Sequence, residues 1–201
     1  MPRRSLRRRP SPCRAGPRVA AQQIRISRPT PALARGQARW IAAIDPWRML
    51  GYRPAALGRY LARKARTRNV WIARTTGRAA PSGVLVADDG FLLGGFIALL
   101  AVRPEASGKG LGRALVERVA AEIFAARRWL FVSCDGNNHA ALRFYRKLGF
   151  SRVGRLPDLV RRGNVEILLR KPSPGPPIVA RAPGAKFPAS AARVGYHRGR
   201  S

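Results

Sequence analysis

Acidic residues are scarce in this chain: nine Asp and Glu stand against 40 Lys and Arg in 201 residues, for a formal charge of +31. Cysteine and histidine are scarcer. Cys13 and Cys134 lie far apart in sequence, which gives no disulfide framework, and two thiols without a histidine cluster make no metal site. His139 and His197 are the only histidines, so zinc hydrolysis and a Ser-His-Asp triad are both poorly supported. Long apolar runs are also missing. The best, Phe91 to Val102, is strand-length and falls short of the roughly 18 residues a membrane span needs. The first 21 residues hold seven arginines, no acid and no apolar segment of the kind that directs export.

What is present is apolar mass. At 46% apolar residues and 22.0 kDa, the chain has the core of one domain. The positive charge has two readings: a polyanion partner drawn by the field, or the arginine-heavy composition that a GC-rich coding sequence yields. Composition does not choose between them. Its distribution is more telling, because all nine acids fall between residues 22 and 170, where the apolar periodicity also lies. This predicts a disordered basic extension over 1–21, a folded domain over 22–171, and a disordered Pro/Gly/Arg-rich tail over 172–201.

Within the domain, the pattern predicts an α/β order of strands and helices. A short strand at Gln23–Ile26 precedes a helix that Thr30 caps, that Pro31 opens and that runs to about Ala43. Pro54 starts a second helix, carrying Leu57 and Leu61. Asn69–Arg74, Gly83–Ala87 and Leu92–Val102 are strand-like, the last two joined by an Asp88-Asp89-Gly90 hairpin signal. Leu111, Leu115, Val119 and Ile123 recur every four residues and predict a third helix. Trp129–Ser133 is a strand, and Asn138–Leu148 a helix stopped by Gly149. Ser151–Gly154 and Asn164–Arg170 complete the sheet, the latter alternating Val165, Ile167 and Leu169.

The most informative stretch joins the strand ending at Val102 to the third helix. Ser107-Gly108-Lys109-Gly110-Leu111-Gly112-Arg113 holds three glycines in five residues. Glycines let a backbone approach a phosphate closely, and the helix N-terminus behind them offers unpaired N–H groups and partial positive charge. Lys109 and Arg113 add countercharge. A Walker A loop fails, because Gly110 follows Gly108-Lys109 where Ser or Thr is required. A dinucleotide fingerprint fails too, with Arg113 where its third glycine belongs. Pyrophosphate binding by a different loop remains.

The loop resembles the acyl-CoA-binding motif of GNAT N-acetyltransferases, Gln/Arg-x-x-Gly-x-Gly/Ala, laid on Ser107 to Gly112. A second signature of that family, Asn-x-x-Ala-x-x-x-Tyr-x-x-x-Gly-Phe, matches Asn138, Ala141, Tyr145, Gly149 and Phe150. The stretches WIAAIDPWRMLGY and GNVEILLRK also resemble bacterial members. Together the likeness covers about 150 residues in the family's order.

This resemblance implies a GNAT fold: a mixed sheet of about six to seven strands, splayed central parallel strands, and about four flanking helices. It implies acetyl-CoA as co-substrate, with no metal, and direct attack by a primary amine of a small molecule or peptide. Cofactor contacts are implied for Leu100, Ala101, Val102, Ser107, Gly108, Lys109, Gly110, Leu111, Gly112, Arg113 and Asn138. Tyr145 is implied as the general acid. Ser107 stands where the family has Gln or Arg, and Ser133 where ribosomal-protein N-terminal acetyltransferases have glutamate. That leaves Asp135, Glu105 or a water chain as routes for the amine's proton, and Cys134 as an apolar filler. Relatives shape the acceptor site with the loop here running from Asp45 to Tyr52, where Trp47 and Tyr52 are candidate lining. A cytoplasmic monomer or homodimer is expected, its basic tails giving weak nucleic-acid binding. The alternative is a non-catalytic module of the same fold that binds RNA or ribosomes through its arginines.

Overall fold

The structure is a computed structural model and describes residues 23–175. The expected extension over 1–21 and nearly all of the expected tail lie outside the described residues. Seven strands form one mixed sheet in the order β1-β2-β3-β4-β5-β7-β6. The described residues divide into two compact units, 23–85 with Leu100–Leu115, and Val86–Leu99 with 116–175.

In the first unit, β1 (Ile24–Ser27) pairs antiparallel with β2 (Val70–Thr75). Thr30 caps α1 (Pro31–Gly36), its hydroxyl accepting from the Leu33 amide at 3.3 Å. The single helix expected to reach Ala43 is interrupted at Gln37, whose amide reaches the Ala34 carbonyl three residues back rather than four. The Gln37 side chain is buried, with both of its polar atoms bonded. It donates to Leu33 O at 2.8 Å and accepts from Trp40 Nε1 at 3.0 Å. A second segment, α2 (Ala38–Ala42), follows, and both pack on α3 (Pro54–Arg66). The buried face of α3 is Leu57, Leu61 and Ala65, at the spacing of one helix face. Gly58 permits the close approach, since a Cβ there would stand 3.1 Å from Arg35 Cγ.

In the second unit, β5 (Trp129–Asp135) lies between two partners. It runs parallel to β4 (Gly94–Val102) from Gly94↔Trp129 to Ile97↔Val132, and antiparallel to β7 (Val165–Pro172) along its whole length. The parallel ladder therefore stops five residues before β4 ends and three before β5 ends. β7 also pairs with β6 (Ser151–Pro157), with a bulge between Arg152 and Gly154. Val116, Val119 and Ile123 of α4 (Leu111–Phe124) are buried, and Ile123 occupies the space above Gly95.

The expected hairpin turn is displaced. β3 (Gly83–Phe91) runs through Asp88-Asp89-Gly90, and the chain turns at Leu92-Leu93, with φ of +43° and +61°. The longer strand places Phe91 against Phe96 and Phe131, at ring centroid distances of 4.9 and 5.2 Å. The glycines Gly94 and Gly95 are spent inside the strand instead, where Cβ atoms would run into Trp129 and Ile123. Burial decided against the Asp-Gly turn.

Candidate active site

The three-glycine loop begins after a single 3-10 turn, Pro104–Ala106, which sequence periodicity did not reveal. Gly108 and Gly110 have φ of +74° and +81°, which side chains rarely adopt. Where Cβ atoms would stand there is open space: nothing within 4 Å at Gly108, and only Ile24 Cδ1 at 3.9 Å at Gly110. The first helical bond of α4 runs from the Ala114 amide to Gly110 O at 3.0 Å, so the amides just before Ala114 have no acceptor within the helix. Ser107, Lys109 and Arg113 are exposed, Leu111 is buried, and Gly112 is half-buried. Leu100, Ala101 and Val102 form the end of β4 in the same unit, Ala101 buried and the other two half-buried. An open, left-handed glycine cradle leading into a helix N-terminus fits a pyrophosphate.

The second unit holds Asn138 and Tyr145. Asn138 caps α5 (His139–Lys147), its side-chain oxygen accepting from the Ala141 amide at 3.0 Å. What Asn138 can offer a ligand is therefore its amide NH2. Tyr145 is buried, its ring edge-on to Phe144 and Phe150. Burial, and then the nearby Cys134, push its phenol above the ordinary range, so the hydroxyl keeps its proton at neutral pH. Cys134 is held up at about 11 by burial, followed by the charges of Glu166 and Asp135. A thiol so placed is protonated at neutral pH and is no nucleophile.

The acids separate cleanly. Glu105 is tied to Arg78 at 3.7 Å, both half-exposed. Asp135 spends one oxygen on the Asn137 amide at 2.8 Å and the other on Asn164 Nδ2 at 2.9 Å, holding the turn after β5. Asp45 makes two bonds to Arg48, at 3.1 and 2.9 Å, and the arginine lowers its pKa. Trp47 is half-buried in that loop, while Tyr52 is 44% exposed.

The residue that sequence reasoning missed is Glu166. It is only 7% exposed, faces Asp135 directly across the β5–β7 ladder, and shares a hydrogen bond with Ser133. Burial first, then Asp135, raise its pKa, with the Ser133 bond opposing. The alternation of Val165, Ile167 and Leu169 marked the strand but passed over the acid between them. The available signal was its rarity: one of nine acids, placed within the otherwise apolar run from Val165 to Leu169.

Among the described residues, no three His, Cys, Asp or Glu side chains are grouped to hold a metal ion. No helix among them is long and apolar enough to cross a membrane.

Residues 66–152 match the family model described as the acetyltransferase (GNAT) domain. Solved structures agree on the fold. An acetyltransferase of the GNAT family from Desulfovibrio desulfuricans aligns at 21% identity and TM-score 0.58, over 76% of this chain and 99% of its own. An N-acetyltransferase from Staphylococcus aureus aligns at 18% identity and TM-score 0.61, over 75% and 98%. The ribosomal-protein-S18-alanine N-acetyltransferase from Escherichia coli aligns at 19% identity and TM-score 0.54, over 75% and 94%. No curated protein matches by sequence. The stretch 66–152 thus matches a GNAT acetyltransferase model, and the described chain has the fold of these structures.

Proposed function

We propose that the chain transfers an acetyl group from acetyl-CoA to a primary amine of a small molecule or peptide, by direct attack in a ternary complex. The observation that carries this reading is the loop from Ser107 to Gly110, open and glycine-shaped at the start of a helix. Bound acetyl-CoA supplies an acyl group activated as a thioester. The amides at the start of α4, with Lys109 and Arg113, hold its pyrophosphate, and the exposed Ser107 hydroxyl adds one contact. The backbone of Leu100, Ala101 and Val102 carries the pantetheine arm, and one amide there polarises the thioester carbonyl. Asn138 binds the arm through its NH2.

Two proton transfers complete the reaction. The attacking nitrogen forms a bond to the carbonyl carbon, the carbon–sulfur bond breaks, and Tyr145 gives its proton to the departing thiolate. Glu166 takes the proton that the amine must lose. Three features support that role: Asp135 and Glu105 are committed elsewhere, Glu166 is buried, and its raised pKa makes it a stronger base than an exposed carboxylate. Glu166 and Tyr145 both lie within electrostatic reach of Cys134. The domain working this way spans 22–171, in the cytoplasm.

The experiment is an amine panel (small amines, polyamines and short peptides with free N-termini) assayed for released CoA thiol. Amine-dependent release supports the reading. Release no faster than thioester hydrolysis with every amine, combined with salt-sensitive RNA binding, favours the non-catalytic module.

A further inference from the structure

A cavity of about 390 Å³ lies between α5 and the β6–β7 edge of the sheet. It is lined by residues that none of the roles above employs. His139, Arg143 and Arg146 occur at i, i+4 and i+7 of α5, which sets them along one face of that helix. Across from them, Arg152 pairs in register with Leu169, so the two side chains share a face of the sheet. Arg152 also borders the bulge in β6, a feature that re-aims side chains at sheet edges. Ser151 adds a hydroxyl to the lining.

Two properties define what this cavity fits. Its floor is apolar, formed by Leu142, Phe150 and Leu169, which are buried. Its rim is cationic and uncompensated. No carboxylate lines it, and none of Arg143, Arg146 and Arg152 forms an ion pair among the described residues. Three guanidiniums gathered around one concavity repel each other unless an anion sits between them. The planar fork of arginine matches a phosphate, and the volume suits a molecule of metabolite size. We propose that this cavity is a binding site for a small organic phosphate, its phosphoryl group held by Arg143, Arg146 and Arg152 and its apolar body resting on Leu142, Phe150 and Leu169.

The test uses the full chain saturated with CoA, so that the glycine loop cannot capture the probe. Phenyl phosphate is titrated by calorimetry, with inorganic phosphate and phenol as comparison probes. The proposal expects phenyl phosphate to bind more tightly than either. It also expects about a tenfold or greater loss of affinity in Arg143→Gln and in Arg152→Gln, since each removes a charge-assisted contact. Both positions are exposed, and unchanged melting temperatures establish that the variants fold. Equal affinity in wild type and variants overturns the proposal, as does the absence of binding. Inorganic phosphate binding as tightly as phenyl phosphate overturns the role of the apolar floor. A single-stranded oligonucleotide that displaces the probe far below the probe's own dissociation constant, with steep salt dependence, makes the cavity part of a nucleic-acid surface and overturns the small-ligand assignment.

Discussion

The Phe150 amide donates to the Tyr145 carbonyl oxygen at 3.1 Å, and the two rings meet edge to face with centroids 5.3 Å apart. The Gly149 amide donates to Arg146 O at 3.0 Å, with Gly149 at a φ of +85°. Together these bonds close the end of α5 as a Schellman motif with its usual apolar contact. The spacing of Tyr145, Gly149 and Phe150 is thus the spacing of a helix terminus, and that terminus fixes the Tyr145 ring.

Because the ring is held by packing, removal of the hydroxyl alone is a clean test of its chemistry. Tyr145→Phe is expected to lower turnover by about tenfold to a thousandfold. Affinity for acetyl-CoA should stay near wild type, since the ring keeps its burial. Stopped-assay kinetics and calorimetry separate the two quantities. Turnover close to wild type would leave Tyr145 a packing residue, and joint loss of binding and turnover would make its hydroxyl a ligand contact.

Glu166 gives a prediction in pH. The folded chain holds a proton on this raised carboxyl where the unfolded chain has released it. Its contribution favours the native state below the ordinary carboxylate pKa and is lost as pH rises through the raised value. Turnover moves the other way, because a base must be deprotonated, and should climb over the same range. Glu166→Gln is expected to flatten both dependences and to reduce turnover by about a hundredfold. An unchanged rate profile in the variant would remove Glu166 from the chemistry.

Cys134 should be sluggish toward alkylation. With its pKa at about 11, the thiolate is a rare species at neutral pH. In a Cys13→Ser background, iodoacetamide should label the native protein about a hundredfold more slowly than the urea-unfolded chain. Equal rates would show that Cys134 is exposed and ordinary.

The Leu92-Leu93 turn is a strained choice. Both residues sit at positive φ, and both side chains are in solvent, at 63% and 76% exposure. The left-handed region costs an ordinary residue about 1–2 kcal/mol. Replacing the pair with Asn and Gly relieves the strain and gives up little burial, so denaturant melts should show a net stabilisation of about 1–2 kcal/mol. Destabilisation would mean that the leucines are held by a contact that their exposure conceals.

These sites show what the sequence could and could not disclose. Thr30, Pro31, Asn138 and Gly149 act through their own backbone and near neighbours, so helix ends were readable from residue type alone. The glycine loop was readable for the same reason: two of its glycines are demanded by positive φ. The β3–β4 turn was not, because Asp88-Asp89-Gly90 is a good local turn overruled by ring packing of Phe91 on Phe96 and on Phe131, 40 residues further along the chain. Gln37 broke a helix through side-chain bonds that no periodicity encodes. Glu166 was hidden by its own strand. Alternation separates two faces, but only the β5–β7 register shows that Glu166 meets Ser133 and Asp135.

The most direct test of the whole account is calorimetric titration of the full chain with acetyl-CoA, paired with a thermal melt. The account predicts saturable binding at one molecule per chain. At a hundredfold excess over the dissociation constant, it predicts stabilisation of about 2.7 kcal/mol. Both should be lost in Gly110→Val, since a β-branched side chain rarely adopts the left-handed φ of the cradle. Absence of binding heat and of any thermal shift in the wild-type protein would contradict the account.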